Sequence, residues 1–377
     1  MSERIDTDDI CCAALELSKS TWVCAFAAPG EEKASVHSIA ARDISGLVAL
    51  LERLLRAAER RCSRPLSMTV CHEAGCDGFW IARSLIARGI PTIVFDPASF
   101  LRPRRGRVAK TDRLDAEGMC RTLRTWLAGE RSVASAVRIQ SVEEEDAKRL
   151  GRERKYLVHQ HTRVVSRIKG LLALHGIHIG AKGIGKRLAA TLSSLRTAEG
   201  RELPRFLRRD VERMLRHHAL IAEQIAEVDA ERREAVETEA FPHADKVNRL
   251  SQMGGVGEIS ASVLVAEVYH REFKNRRHLA SFIGLAPSPY SSGEVLRDRG
   301  INKAGTKLAR MTLVELAWFW LRYQPESALS LWWRKKFGAT GMRGRKVGIV
   351  ALARKLAVAL WRYVEFGVVP EGATLKV

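Results

Sequence analysis

Four carboxylates stand where an ionised group needs a reason. Glu16 lies in an apolar run, ICCAALEL (10–17), where a charge must be paired or hold a cation. Glu73 ends a second run, SMTVCHE (67–73), and Asp112 and Asp115 lie three apart in KTDRLDA (110–116), at the start of a helical segment where that spacing shares a face. Singly, each has a plainer explanation: the aspartates favour a helix dipole, and Glu73 caps a loop. Together they are a set of hard oxygen donors. Such a set suits Mg²⁺, which prefers few carboxylates, water and phosphate oxygens, and it matches the two-metal arrangement for phosphodiester chemistry.

A second constellation is PSPYSSGEVLRDRGINKAGTKLAR (287–310), with Ser288, Ser291 and Ser292 before Gly293, then Arg297, Arg299, Lys303, Lys307 and Arg310. A serine beside glycine has an open approach, and the cations suit a phosphate. No general base stands next to it, so the residues alone favour a phosphate-gripping loop over a covalent catalyst. A third feature is the turn Gly254-Gly255-Val256-Gly257 between two helical pieces, similar to a helix-hairpin-helix, in which the backbone at Gly255 and Gly257 can approach a phosphate closely. The same turn also serves as a plain helix connector. An arginine-rich loop carrying Arg102, Arg104 and Arg105, with Lys110 at its end, adds further phosphate contacts.

The elements that must position these residues follow from hydropathy. Three strands, 10–17, 21–28 and 34–40, precede alternating helix and strand through SMTVCHE and PTIVF (91–95). That order predicts a ribonuclease-H-like α/β domain, in which the first and fourth strands are neighbours and the last helix crosses their ends, so the four acids can converge. Leu150, Leu157, Val164 and Leu171 recur every seven residues, as do Leu207, Met214, Ile221 and Val228, which predicts two long helices as an antiparallel coiled-coil arm. The seams would also pair with another copy. The remainder reads as helices broken by one long polar loop, 287–305. The expected class is therefore α/β plus all-α, with a RuvC-like domain over 1–130, a helical coiled-coil region over 131–245 and a C-terminal domain over 246–377.

Composition narrows the function. Across 377 residues, 63 Lys and Arg against 43 Asp and Glu leave a net charge of +20, a surface that attracts polyanions. The longest apolar stretches are interrupted by charge, so no membrane role is expected, and the acidic N-terminus does not resemble a secretory signal. All seven cysteines fall within the first 120 residues, where several read as small core hydrophobes. Cys71, His72 and Cys76 lack the partners for a closed zinc site.

These motifs, ALELSKSTW (14–22), HEAGCDGFW (72–80), KTDRLDA and the 283–310 segment, resemble the DEDD-type transposases of the insertion-sequence one-ten family, relatives of the Piv DNA invertases, over nearly the whole chain. The resemblance implies a RuvC-like catalytic domain with its four acids at Glu16, Glu73, Asp112 and Asp115, Glu16 replacing the more usual Asp. It also implies a serine nucleophile at Ser292, with Ser291 the neighbouring alternative, and Mg²⁺ as cofactor. The partners it implies are donor and target DNA, a guide (bridge) RNA and further copies of the chain in a dimer or tetramer, in a prokaryotic cytoplasm at the nucleoid. The expected function is an RNA-guided recombinase that excises and inserts a mobile element. A Holliday-junction-type nuclease using metal-activated water, or a non-catalytic nucleic-acid-binding protein, are the rivals.

Overall fold

The computed structural model describes residues 8–75, 77–100, 111–292, 295–303 and 305–376; for 289–292 and 295–299 it describes the backbone alone. Arg102, Arg104, Arg105, Lys110 and Gly293 lie outside the described residues. The chain divides into two compact units, 1–140 and 141–377.

The first unit is built on a six-stranded mixed sheet of order β3-β2-β1-β4-β5-β6. Strands β1 (Ile10–Leu17), β2 (Thr21–Ala27) and β3 (Ser35–Ala40) form an antiparallel meander, while β4 (Ser67–Glu73) and β5 (Thr92–Phe95) add parallel to β1. A short antiparallel edge, β6 (Ala136–Val137), completes it. The arrangement is compatible with a ribonuclease-H-like domain. β1 is apolar on both faces because both are covered. Cys11, Ala13 and Leu15 pack on one side with Leu47 and Leu51 of α1 (Ile44–Cys62) and Ile81 of α2 (Trp80–Ile86), whereas Cys12 and Ala14 pack on the other with Cys120 and Leu123 of α3 (Asp112–Leu127). Burial pushes the thiols of Cys12 and Cys120 up to about 12 and about 11, so they remain protonated core groups. Among the described residues the cysteines are free.

The second unit is helical. α4 (Val142–Ala173) and α6 (Arg205–Glu237) run antiparallel, tied by Arg154 to Asp229 at 2.8 Å near one end and Arg167 to Asp210 at 3.3 Å near the other. Leu157, Val164, Met214, Ile221 and Val228 of the expected heptads are buried in one cluster, with Leu150, Leu171 and Leu207 half-buried against it. The seams therefore face each other within one chain, and their apolar stripe is spent before a second copy could use it. The short helix α5 (Lys186–Thr191) closes the far end through Leu188. Arg152 of α4 donates two hydrogen bonds to Glu267, at 2.8 and 3.2 Å, which roots the helix pair in the helices that follow. These are α7 (Ala244–Ser251), α8 (Glu258–Leu264), α9 (Arg276–Ile283), α10 (Lys307–Tyr323), α11 (Ala328–Phe337) and α12 (Met342–Phe366), packed around Leu313, Trp320, Leu352 and Leu360. The expected loop over 287–305 is instead largely a hairpin, β7 (Pro287–Ser292) and β8 (Val295–Ile301). Among the described residues no helix is long and apolar enough to cross a membrane.

Candidate active site

The acids are positioned by strand register and helix direction. β1 and β4 pair in parallel up to Leu15 opposite His72, so Glu16 and Glu73 occupy the next step of each strand. Alternation puts them on the face of Cys12, Ala14 and Cys71, the face that α3 covers. Two contacts set the level of that helix: Cys120 Sγ donates to the carbonyl of Cys12 at 3.4 Å, and Cys71 Sγ to that of Met119 at 3.9 Å. Near its other end Arg124 donates to the carbonyl of Glu31, beyond the end of β2 and hence beside the start of β1. α3 thus runs against β1, and its first turn lies toward the ends of β1 and β4. From Cys120 back to Asp112 the helix rises ~12 Å, and from Cys12 to Glu16 the strand advances ~13 Å. The same count brings Asp115 level with Glu73.

Thr111 caps α3, its Oγ1 accepting from the Leu114 N–H at 3.3 Å, as the sequence predicts. Asp112 is exposed and Asp115 half-buried. Glu73 and Asp115 line one hollow of about 420 Å³ together with Phe100, Gly118, Arg121 and Thr122. Glu16 is half-buried at its strand's end and, like Asp112, is not in that lining. Among the described residues no three His, Cys, Asp or Glu side chains stand together as a metal cage. What the hollow offers is a pair of hard oxygen donors, and Mg²⁺ takes one or two carboxylates with water and phosphate oxygens. The donor set fits that ion.

Arg121 and Gly118 escaped the sequence reading. Asp115, Gly118 and Thr122 recur at helical spacing on one face, which is the signal that would have found them. Gly118 leaves that face open: a Cβ there would meet only the tip of Arg121, at 4.0 Å.

In the second unit the serine segment is set by hairpin register. Ser292 pairs with Val295 at the end of the ladder, Ser291 with Leu296 and Tyr290 with Arg297. By alternation position 292 shares a face with 290, 295 and 297, whereas 291 shares one with 296 and 298. The hairpin's return is fastened by Arg310, whose guanidinium donates to the carbonyls of Ile283 and Gly305 at 3.2 and 3.1 Å; this cation is a tie and not a free phosphate ligand. Gly305 has φ +68°, and a Cβ there would fall 1.9 Å from the Phe282 carbonyl oxygen, so only glycine fits. Lys303 and Lys307 are both exposed, Lys303 at a left-handed φ of 58° and Lys307 in the first turn of α10.

The turn at 254–257 does join two packed helices, α7 and α8. Gly255 has φ +85°, and its missing Cβ would touch Tyr323 Cβ at 3.2 Å, while one on Gly254 would come 2.4 Å from Gln324 Nε2. Gln324, nearly fully buried, donates to the carbonyls of Gly254 and Thr374 at 3.0 and 2.7 Å.

Residues 247–330, from α7 through the hairpin to the start of α11, match the model of the transposase IS116/IS110/IS902 family. Over 99% of its length the chain is 43% identical to a Sinorhizobium fredii protein provisionally named transposase y4rJ, covering 96% of that relative. The chain belongs to this transposase family. Other relatives in the family are the transposase for insertion sequence element IS1111A of Coxiella burnetii, 27% identical over 86% of each chain, and that for IS1328 of Yersinia enterocolitica, 27% identical over 78% of this chain and 82% of its own. The family match takes in the Gly254–Gly257 turn and the whole serine hairpin, and the first relative extends it across the acid-bearing sheet.

Proposed function

We propose that the protein is a DNA recombinase that cuts and rejoins strands to move an insertion element, using the acid-lined hollow and Ser292. The observation that carries this reading is the shared hollow of Glu73 and Asp115 on the α3 face, with Glu16 and Asp112 at the matching strand and helix levels. A Mg²⁺-class ion held by these carboxylates would neutralise charge on a scissile phosphate. Arg121 in the same hollow suits a non-bridging phosphate oxygen. The Ser292 hydroxyl attacks phosphorus. An Oγ–P bond forms as a strand P–O bond breaks, the hydroxyl proton passes to solvent, and the released strand oxygen is protonated; a strand hydroxyl later reverses this exchange and frees the serine. The family's Ser-Gly pair maps onto Ser292-Gly293, which favours Ser292 over Ser291.

In this reading Arg297, Arg299, Lys303 and Lys307 grip the strand, and Arg102, Arg104, Arg105 and Lys110 hold DNA backbone without reading sequence. Gly255 and Gly257 open a backbone approach to phosphate. The guide RNA and the homo-oligomer rest on the family resemblance, and the charge of +20 suits two nucleic-acid partners.

The test is to incubate the protein with element-end DNA and Mg²⁺, quench, and map any DNA-linked peptide. An adduct on Ser292, lost on chelation and in Ser292→Ala, is the expected result. An adduct on Ser291 moves the nucleophile by one residue. Metal-dependent cleavage with no adduct overturns serine chemistry in favour of water attack.

A further inference from the structure

A second hollow, of about 700 Å³, lies in the helical unit, well away in sequence from the acids. Its lining includes Arg232, Gly254–Ser260, Phe319, Tyr323 and Lys376. That volume falls within the range of small-ligand pockets. Two of its features point to a ligand.

The first is Arg232. Its side chain is 6% exposed, yet among the described residues it makes no hydrogen bond, and its Nε–H is buried without an acceptor there. The nearby carboxylates do not meet this need. Asp229 accepts from Arg154 at 2.8 Å and lies 3.8 Å from Arg232, and Glu258, 59% exposed on the rim, is also 3.8 Å away. A buried guanidinium carries five N–H donors and is costly unless something accepts from them. A phosphate matches that fork with parallel hydrogen bonds.

The second is an aromatic pair. Phe319 and Tyr323 stand one turn apart on α10, 46% and 54% exposed, with ring centroids 6.3 Å apart. Arg322 lies over the Tyr323 ring at 5.5 Å. Exposed rings beside cations are the means by which proteins hold unpaired bases, since every base has a π-face. A paired base inside a duplex presents no such face.

We propose that this hollow takes one unpaired nucleotide of a DNA or RNA strand, with its base against Phe319 and Tyr323 and its phosphate on Arg232. Lys376 completes the cationic wall: its Nζ donates to the carbonyls of Ser251 and Val256 at 2.6 and 2.7 Å, leaving one N–H for the strand. Glu258 limits the site to a phosphate that displaces its loose pairing with Arg232. The partner's class rests on the recombinase reading; the site and its ligand chemistry do not.

The experiment uses the full chain carrying Ser292→Ala, in metal-free buffer, so that no strand chemistry enters. Single-stranded DNA and RNA oligonucleotides with one 2-aminopurine are titrated, with a duplex of the same sequence as control. Phe319→Ala/Tyr323→Ala, at exposed positions that leave the fold intact, should weaken single-strand binding by about tenfold or more and abolish 2-aminopurine quenching, with duplex binding unchanged. Arg232→Gln should weaken the same strands and flatten their salt dependence. Arg232→Lys, checked by its melt, tests the fork if the Gln variant fails to fold. Loss with DNA alone, RNA alone or both supports the site and names its strand. Unchanged single-strand binding, equal loss with duplex, or a change of oligomeric state alone overturns it. A Ser292 adduct is absent from every arm, so failure here leaves the recombinase reading standing, and failure of the adduct test leaves this one.

Discussion

The acid-bearing sheet and the serine hairpin reach the same kind of precision by opposite routes. Glu16 and Glu73 are brought to adjacent strand ends by parallel pairing of strands more than fifty residues apart, and Asp115 comes level with Glu73 only because α3 is held in place by buried sulfhydryl and backbone contacts. Ser292 is placed by a ladder that closes on itself within fifteen residues, fastened at its base by Arg310 and Gly305. A site made by distant pairing tolerates little change in any of three elements, whereas one made locally depends on the few residues of its hinge.

The largest effects should come from the reacting groups themselves. Ser292→Ala and Asp115→Asn should each lower strand transfer by on the order of 10³-fold or more, measured with element-end DNA, while Mg²⁺-free DNA binding and the thermal melt stay near those of the parent chain. Equal losses mean that the two regions serve one reaction. Residual cleavage in Ser292→Ala alone would divide them.

Next comes the hinge. Gly305→Ala forces a left-handed φ on a Cβ that collides with the Phe282 carbonyl, and should destabilise the helical unit by about 2–4 kcal/mol. The expected readout is a lower Tm with the α/β unit unaffected, followed by hydrogen exchange in each unit. If the sheet unit loosens as well, the two regions are not independent.

A smaller effect distinguishes the sheet unit by pH. His72 is fully buried on β4, its Nδ1 bonded to the Glu73 carbonyl and its Nε2 without a partner among the described residues, and burial depresses its pKa below the usual 6.5, the bond to the Glu73 carbonyl and then Asp77 opposing in part. As pH falls the unfolded chain takes up the proton first, so this unit's stability is whole above about pH 6.5 and declines as pH falls through and below it. A lower Tm near pH 5.5 than near pH 7.5, with the difference reduced in His72→Leu, is expected. A melt independent of pH would show that the imidazole has another partner.

The smallest change should follow Glu16→Asp, which shortens one carboxylate by a single bond at a half-buried strand end; activity should change by about threefold or less, against a far larger loss for Glu16→Ala. Full activity in Glu16→Ala would remove Glu16 from the site.

The sheet was legible because its strands are apolar runs bounded by turn residues: β1 and β4 span the runs ICCAALEL and SMTVCHE as the sequence predicts them. The hairpin was not, since Pro287, Pro289 and the serines carry low strand propensity and the pairing is supplied by a local ladder. The acids were legible as residue types. Their grouping depends on the level and direction of α3, which periodicity does not contain. The hollow at Arg232 was hidden for a similar reason: the arginine occupies a heptad position on α6, and only the packing of α10 and the 254–257 turn beside it reveals its missing acceptors.

The bonds that finish that turn also set a timetable. Gly254 donates to the Thr374 carbonyl, Gln324 bridges the two segments, and Lys376 reaches back 120 positions to Val256. Closing so long a loop is slow, and during synthesis it waits until residue 376 has left the ribosome. The turn therefore takes its final shape after the sheet and the helical arm have had time to form. Until Thr374 and Lys376 arrive the wall beside Gly254–Gly257 is incomplete, and removing those two contacts from the folded molecule would return the turn to that earlier condition.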